Sequence, residues 1–145
     1  MSNSPRQFYL VININPQPWV RTRGAGKARF KSPRLRAYQD FIAQSVTLAN
    51  VGGPITGPVS VGLSFERKRP KNRPAKVSKA MWATGDACPC AVVPDIDNYI
   101  KGVLDAVNKS NLWDDDAQVV SVSANKFYCG EGEEPRIVFN LRELE

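Results

Sequence analysis

A two-faced helix from Asp95 to Asn108 is the feature that most constrains the fold of this chain. Its apolar side chains recur with i, i+3, i+4 and i+7 spacing, at Ile100, Val103, Leu104 and Val107. A stripe of this kind is buried against another layer of secondary structure. A charged row, made of Asp97, Lys101 and Asp105, lies about 120° around the helix from the stripe.

Strands on both sides of this helix supply the layer against which it would pack. Val59 to Glu66 alternates apolar and polar residues, which is typical of a half-buried strand. An earlier helix is predicted from the Ser32-Pro33 start signal to about Ala49. The other predicted strands are Phe8 to Ile12, Gln118 to Tyr128 and Arg136 to Leu141. We predict one α+β domain over residues 1–145, a two-layer sandwich in which a mixed sheet carries two main helices mainly on one face.

Two segments are predicted to lie outside these elements. Residues 19–31 place Gly24-Ala25-Gly26 between basic residues, which indicates a hairpin or a flexible basic loop. Residues 67–94 start with a basic stretch that contains two prolines, and they are predicted to be mostly loop, with one helical turn near Ser78 to Met81. A loop of this length in a small domain is usually functional or mobile.

Charge is divided unevenly along the chain. Residues 1–80 hold fifteen Lys and Arg residues and two acids, whereas residues 81–145 hold five and twelve. This division suits a protein that binds a polyanion with one part and a cation with the other. No apolar run is long enough to span a bilayer and no signal-peptide pattern is present, so we expect a soluble cytoplasmic protein without membrane contact.

Two residue types narrow the chemistry further. The chain has no His, which excludes Ser-His-Asp and Cys-His nucleophile pairs and imidazole metal ligands. Its three cysteines, Cys88, Cys90 and Cys129, are interpreted as free thiols in a reducing cytosol rather than as a disulfide framework or a zinc site. Any hydrolytic chemistry must then depend on carboxylates, Lys and a bound metal.

Two acidic blocks form the candidate site. Asp95 and Asp97 start the helix, where the positive end of its dipole favours carboxylates, and Asp114-Asp115-Asp116 follows Trp113. For each residue alone, an N-cap or an exposed pair between Asp97 and Lys101 is the simpler interpretation. The sequence leaves open whether the blocks meet. If they do, at least three carboxylates face a hard cation, Mg²⁺ or Mn²⁺, and Lys101 would either neutralise charge developing on a phosphate or orient the nucleophile.

The two blocks resemble the signature of a known family, the RusA-type Holliday junction resolvases, which phages often carry. The similarity is strongest over residues 93–120, and the remainder agrees in element order. A third acid, Asp114, stands where this family commonly has a neutral residue. The matching residues are Pro94-Asp95-Ile96-Asp97-Asn98, Lys101, Asp105-Ala106, Trp113 and Asp115-Asp116-Ala117-Gln118-Val119-Val120.

The resemblance implies a homodimeric, Mg²⁺-dependent endonuclease that resolves four-way DNA junctions by paired symmetric nicks in recombination and repair. It implies that Asp95, Asp97 and Asp116 are the metal-binding catalytic acids and that Lys101 is the catalytic Lys. Asp105 and Asp115 are weaker candidates for a supporting role. The side chains expected to hold the DNA backbone without reading its sequence are Arg21, Arg23, Lys27, Arg29, Arg34, Arg36, Arg67, Lys68, Arg69 and Lys71.

Two other functions fit parts of the sequence. A non-catalytic DNA-binding module, such as a phage accessory protein, needs only the basic half and predicts salt-sensitive binding that is unaffected by metal. A metal-dependent phosphohydrolase of small nucleotides needs only the acids, and the basic excess argues against it. Trp19 and Trp82 belong either to the core or to a stacking platform for an unpaired base, and core packing is the simpler interpretation.

Overall fold

The two-faced helix packs on one side of a five-stranded sheet. The computed structural model describes residues 4–19 and 32–144. It confirms the predicted α+β fold with a mixed sheet and two main helices, whereas the predicted hairpin lies almost wholly outside the described residues. The strands are β1 (Gln7–Ile12), β2 (Val59–Arg67), β3 (Cys88–Pro89), β4 (Val119–Tyr128) and β5 (Arg136–Glu143). The helices are α1 (Pro33–Ala49), α2 (Lys79–Ala83) and α3 (Ile96–Val107), with a 3₁₀ turn at Asp116–Gln118.

The strand order in the sheet is β1-β5-β2-β4-β3. β2 and β4 are parallel neighbours, and every other adjacent pair is antiparallel. A connection between parallel neighbours must return along the whole length of the sheet, and here α3 makes that return. α3 therefore runs opposite to β2 and β4. Tyr99, in its first turn, stacks on Phe65 near the end of β2 with ring centroids 5.0 Å apart.

One hydrophobic core fills the space between the helices and the sheet. Both long helices contribute to it, and the predicted stripe residues Val103 and Val107 of α3 are fully buried. Each such side chain stabilises the fold by roughly 1.5–3 kcal/mol relative to exposure. On the other face of the sheet Tyr9 is 67% exposed and Val11 is 37% exposed, so this face is open in the described chain. The two-layer arrangement follows from this difference between the faces.

Local signals set several element ends. Ser32 caps α1, because its Oγ accepts the Leu35 N–H at 3.1 Å, and Pro33 is the first helical residue. The turn predicted near Ser78 is α2, which that residue caps in the same way. The two-residue strand β3 was not predicted, because it exists only through pairing with the end of β4. All three cysteines are buried, and none of them forms a disulfide bond among the described residues. No helix among residues 4–19 and 32–144 is long and apolar enough to cross a membrane.

Candidate active site

The N-terminal end of α3 presents two exposed carboxylates. Asp95 is the N-cap residue, and its backbone carbonyl accepts the N–H groups of Asn98 at 3.1 Å and Tyr99 at 3.3 Å. Its side chain makes no capping hydrogen bond. Within the described ranges, the carboxylates of Asp95 and Asp97 have no hydrogen-bond or ion-pair partner. Two unpaired acids at the positive end of a helix dipole are available to a cation.

The segment that leads into Asp95, Ala91–Pro94, is held by basic side chains. Lys126 Nζ donates to the carbonyl oxygens of Val92 at 2.6 Å and Pro94 at 2.8 Å. Arg67 Nη1 donates to the carbonyl oxygen between them, that of Val93, at 3.1 Å. The sequence did not lead us to Lys126. Its signal is a Lys on the helix-facing side of β4, in register with the buried Phe65.

Asn98, the last residue of the Asp-x-Asp-Asn motif, links α3 to the backbone of Trp19. Its Oδ1 accepts the Trp19 backbone N–H at 2.7 Å, and its Nδ2 donates to the Trp19 carbonyl at 2.6 Å. The Trp19 ring packs against the core, with Lys101 Nζ 4.8 Å from its centroid. These two bonds fix the backbone of Trp19, the last described residue before the basic segment 20–31 of the sequence. The predicted DNA contacts Arg21, Arg23, Lys27 and Arg29 lie outside the described residues.

Lys101 lies along the exposed row of α3. Its ammonium is 3.7 Å from the Asp105 carboxylate, and the Lys101 side chain is 50% exposed. The partner of Lys101 in the described chain is thus Asp105, not Asp97. An ion pair this exposed contributes little to stability, so its main effect is to limit where the ammonium can move.

The C-terminal end of α3 holds the second block. Asn108 Nδ2 donates to Asp116 Oδ2 at 3.1 Å, and Asn108 Oδ1 accepts the indole N–H of Trp113 at 2.7 Å. Asp115 caps the 3₁₀ turn by accepting the Ala117 N–H at 3.2 Å. Asp116 is therefore oriented by the side chain of Asn108, the C-cap residue of α3, whereas Asp115 caps the 3₁₀ turn.

One copy of the chain does not bring the two blocks together. Asp97 and Asn108 are eleven residues apart on α3, which corresponds to about 16 Å of helix. After allowing for side-chain reach and the bond to Asp116, the carboxylates of Asp97 and Asp116 remain more than about 6 Å apart. Two oxygens on one Mg²⁺ lie within about 4.2 Å of each other. Consistently, the described residues contain no group of three or more Cys, Asp or Glu side chains that could hold a metal ion.

The basic segment after β2 divides into two kinds of side chain. Arg69 donates to the backbone carbonyls of Trp82, Asp86 and Cys129, and its guanidinium lies 3.7 Å from the centroid of the Trp82 ring. Arg69 and Trp82 thus hold the loop together. Lys68 and Lys71 are exposed, and their side chains make no hydrogen bond or ion pair within residues 4–19 and 32–144. Among the predicted contacts in this segment, these two lysines are the ones left free for a polyanion.

Two further titratable side chains, Tyr99 of α3 and Cys129 after the end of β4, have raised pKa values. Burial raises the pKa of the Tyr99 hydroxyl, and the positive charge of Arg67 only partly opposes this. Burial also raises the pKa of the Cys129 thiol, and the charge of Glu66 raises it further. Both groups stay protonated at neutral pH, which leaves carboxylates and ammonium groups as the reactive set.

Comparison with known proteins adds independent information. Residues 12–142 match the family model described as "Endodeoxyribonuclease RusA". "Uncharacterized protein YqaN" of Bacillus subtilis (strain 168) is 34% identical over 128 residues, which cover 86% of this chain and 87% of that protein. Residues 12–142, which the family model matches, contain both acidic blocks and all of α3.

Proposed function

Because the chain belongs to the RusA family of endodeoxyribonucleases, we propose that it resolves four-way DNA junctions by paired symmetric nicks, with Mg²⁺ as cofactor, in recombination and repair. Nucleases of this family are metal-dependent and bind branched DNA. The observation that carries the proposal is the pair of exposed, unpartnered carboxylates, Asp95 and Asp97, one turn before the half-exposed Lys101.

The donor set fits a hard cation. Asp95, Asp97 and Asp116 offer only carboxylate oxygens, which Mg²⁺ and Mn²⁺ prefer, and only one oxygen of Asp116 has a side-chain donor in the described chain. When bound, such an ion supplies polarisation of the phosphodiester and a water molecule of lowered pKa. Lys101 neutralises charge on the phosphate, and Asp105 restricts the position of its ammonium. We propose these roles for the three acids and for Lys101.

A second copy of the chain can bring the two acidic blocks together. The outer edge of β4 is free in the described chain from Val119 to Asn125, since β3 pairs only with Phe127 and Tyr128. No residue of this stretch is charged, and Val120 is 64% and Val122 41% exposed. An uncharged free edge with exposed apolar side chains is a template for pairing with another strand. We propose that β4 pairs antiparallel with its own copy, about a two-fold axis near Val122.

This pairing sets the start of one β4 beside the end of the other. Asp116 precedes the start, and Lys126, near the end, contacts the carbonyl of Pro94 just before Asp95. Each site then takes Asp95 and Asp97 from one subunit and Asp116 from its partner. The two sites are related by a two-fold axis, as are the two equivalent strands of a four-way junction, so the pair can nick symmetrically.

Mixing two inactive variants tests this assignment. Asp97→Asn and Asp116→Asn are purified separately, then unfolded and refolded together on a synthetic four-way junction with Mg²⁺. If a site spans two chains, each mixed dimer contains one intact and one doubly altered site. Half of the dimers are mixed at random, so about a quarter of wild-type sites return, and they give single nicks rather than paired ones. If each site lies within one chain, mixing restores nothing.

The proposed pairing of β4 with its own copy is tested with two Val→Lys variants at residues of similar exposure. Val122→Lys introduces a charge on the proposed interface, and Val11→Lys does so at a residue of similar exposure on the opposite edge strand. We expect Val122→Lys to run as a monomer of 16.1 kDa in light scattering and to lose nicking, and Val11→Lys to behave as wild type. Wild-type protein that binds junctions equally with and without metal and never cuts them would instead be a DNA-binding module.

A further inference from the structure

Four successive backbone carbonyls precede the candidate catalytic helix, and each accepts a hydrogen bond from a basic side chain. Lys76 Nζ donates to Ala91 at 3.3 Å, Lys126 to Val92 and Pro94, and Arg67 to Val93. The three donors come from different parts of the fold: the loop after β2, the end of β4 and the end of β2. We call these three side chains the carbonyl clamp.

The carbonyl clamp binds Ala91–Pro94, a segment that is not part of any β-strand or helix. Between β3 and α3, the one backbone–backbone hydrogen bond to β4 in the described chain runs from the Cys90 N–H to the Lys126 carbonyl. Backbone carbonyls outside regular structure need partners when they approach the protein interior. A charged donor forms a shorter and stronger bond than a neutral one, and the Lys126 bonds, at 2.6 and 2.8 Å, are short. Lys126 therefore holds the two part-buried carbonyls of the segment, those of Val92 and Pro94, whereas the bonds from Lys76 and Arg67 lie on its exposed side.

We propose that Lys126 is a positioning residue for the metal-binding carboxylates, an inference that rests on the proposed function. It grips the carbonyls on both sides of Val93 and so fixes the peptide that enters the N-cap residue, Asp95. The Asp95 carbonyl in turn accepts from Asn98 and Tyr99, which closes the first turn that carries Asp97. Lys126 is partly buried and uses two of its three N–H groups on backbone, which distinguishes it from the exposed Lys68.

A positioning role and a DNA-contact role predict different losses. A residue that orients metal ligands affects metal affinity, typically by 10- to 100-fold when it is removed. A residue that contacts phosphate affects junction affinity and its salt dependence, and leaves metal binding unchanged. A residue that only supports the fold lowers the melting temperature and changes neither affinity below it.

The experiment compares Lys126→Met, which keeps length and removes the donors, with Lys126→Arg, which keeps donors. Lys109→Met, at an exposed lysine beside α1, is the matched control. Mn²⁺ binding is titrated without DNA by electron paramagnetic resonance, and hydrogen exchange is followed in a peptide that covers Asn98 and Tyr99. Junction affinity is measured in EDTA. All measurements are made below the melting temperature of the weakest variant.

We expect Lys126→Met to bind Mn²⁺ at least about tenfold more weakly and to exchange faster at the first turn of α3. Its junction affinity should stay within about threefold of wild type, and Lys126→Arg should recover most of the Mn²⁺ affinity. Unchanged Mn²⁺ binding in Lys126→Met overturns the inference, and so does a loss confined to junction affinity. If Lys126→Met does not fold, Lys126→Gln replaces it under the same criteria. If wild-type protein binds Mn²⁺ but never nicks junctions, the proposed function is refuted. The Mn²⁺ affinities of the Lys126 variants can still be compared in that case.

Discussion

The two ends of α3 hold their acids in different ways. At the N-terminal end the backbone is fixed and the carboxylates are free, because Lys126 and Asn98 bind main-chain groups while Asp97 has no partner in the described chain. At the C-terminal end the side chain itself is held, by the bond from Asn108 to Asp116. If the two ends are halves of one active site, as we propose, one helix orients both halves, the first through the backbone and the second through a side chain.

The largest effect should come from removing a carboxylate at either end. Asp97→Asn and Asp116→Asn should each slow single-turnover nicking of a four-way junction about a thousandfold, because each removes a charge that stabilises the transition state through the metal. Asp114→Asn, an exposed neighbour, is the control and should cut within about twofold of wild type. If the Asp116→Asn variant is fully active, the C-terminal end of α3 is not part of the active site.

The next effect concerns the bonded end alone. Asn108→Ala leaves Asp116 without its donor and deprives the Trp113 indole, in a side chain only 2% exposed, of its acceptor. An unsatisfied buried donor costs about 1–3 kcal/mol, which should appear as a lower urea midpoint with an unchanged slope. Nicking should fall roughly tenfold below the transition. Lys109→Ala, the next residue, should leave both quantities unchanged; equal losses there would assign the effect to the helix end in general.

A smaller effect is expected at the opposite Asn. Asn98→Ala breaks both bonds to the Trp19 backbone, so the basic segment that follows is no longer tied to α3. We expect a fall of a few fold in junction affinity, measured by fluorescence anisotropy, because each lost hydrogen bond contributes only about 0.5–1.5 kcal/mol. Mn²⁺ affinity should remain that of wild type. A loss of Mn²⁺ affinity would instead make Asn98 part of the metal site.

The smallest effect separates free from engaged basic residues. Lys68→Ala and Lys71→Ala should each lower the slope of log K against log salt by about one, as expected for a lost phosphate contact. Arg69→Ala should leave that slope unchanged and lower the melting temperature, since its guanidinium holds three carbonyls and Trp82. A reduced slope for Arg69→Ala would show that this side chain leaves the loop to bind DNA.

The sequence predicted those parts of the fold that local chemistry determines. Ser32-Pro33 marks the start of α1, and the alternation from Val59 marks β2, because caps and periodicity act over a few residues. The parallel pairing of β2 with β4 acts over some sixty residues and leaves no such mark. That pairing decides that α3 runs against both strands, and hence where Asp116 lies. The acids themselves were visible in the sequence, but their distance was not.

Lys126 shows a second limit of the sequence. A Lys near the end of a strand of small and apolar residues is usually read as an exposed edge charge. Its partners are instead the backbone carbonyls of Val92 and Pro94, more than thirty residues earlier in the chain. Backbone groups have no identity in a sequence, so a side chain that serves them cannot be paired by pattern alone. Asn98 belongs to the matching motif, but its bonds to the Trp19 backbone were not predicted, for the same reason.

Because α3 and β4 run in opposite directions, the proposed site needs two chains, and this affects how cutting depends on protein concentration. If each site is completed by a second copy, cutting scales with the number of pairs rather than with the number of chains. At low abundance most chains are single, and branched DNA in the cell is then left intact. Activity switches on only once the protein has accumulated past the concentration at which chains pair. Under that condition, the concentration of the chain itself limits the activity.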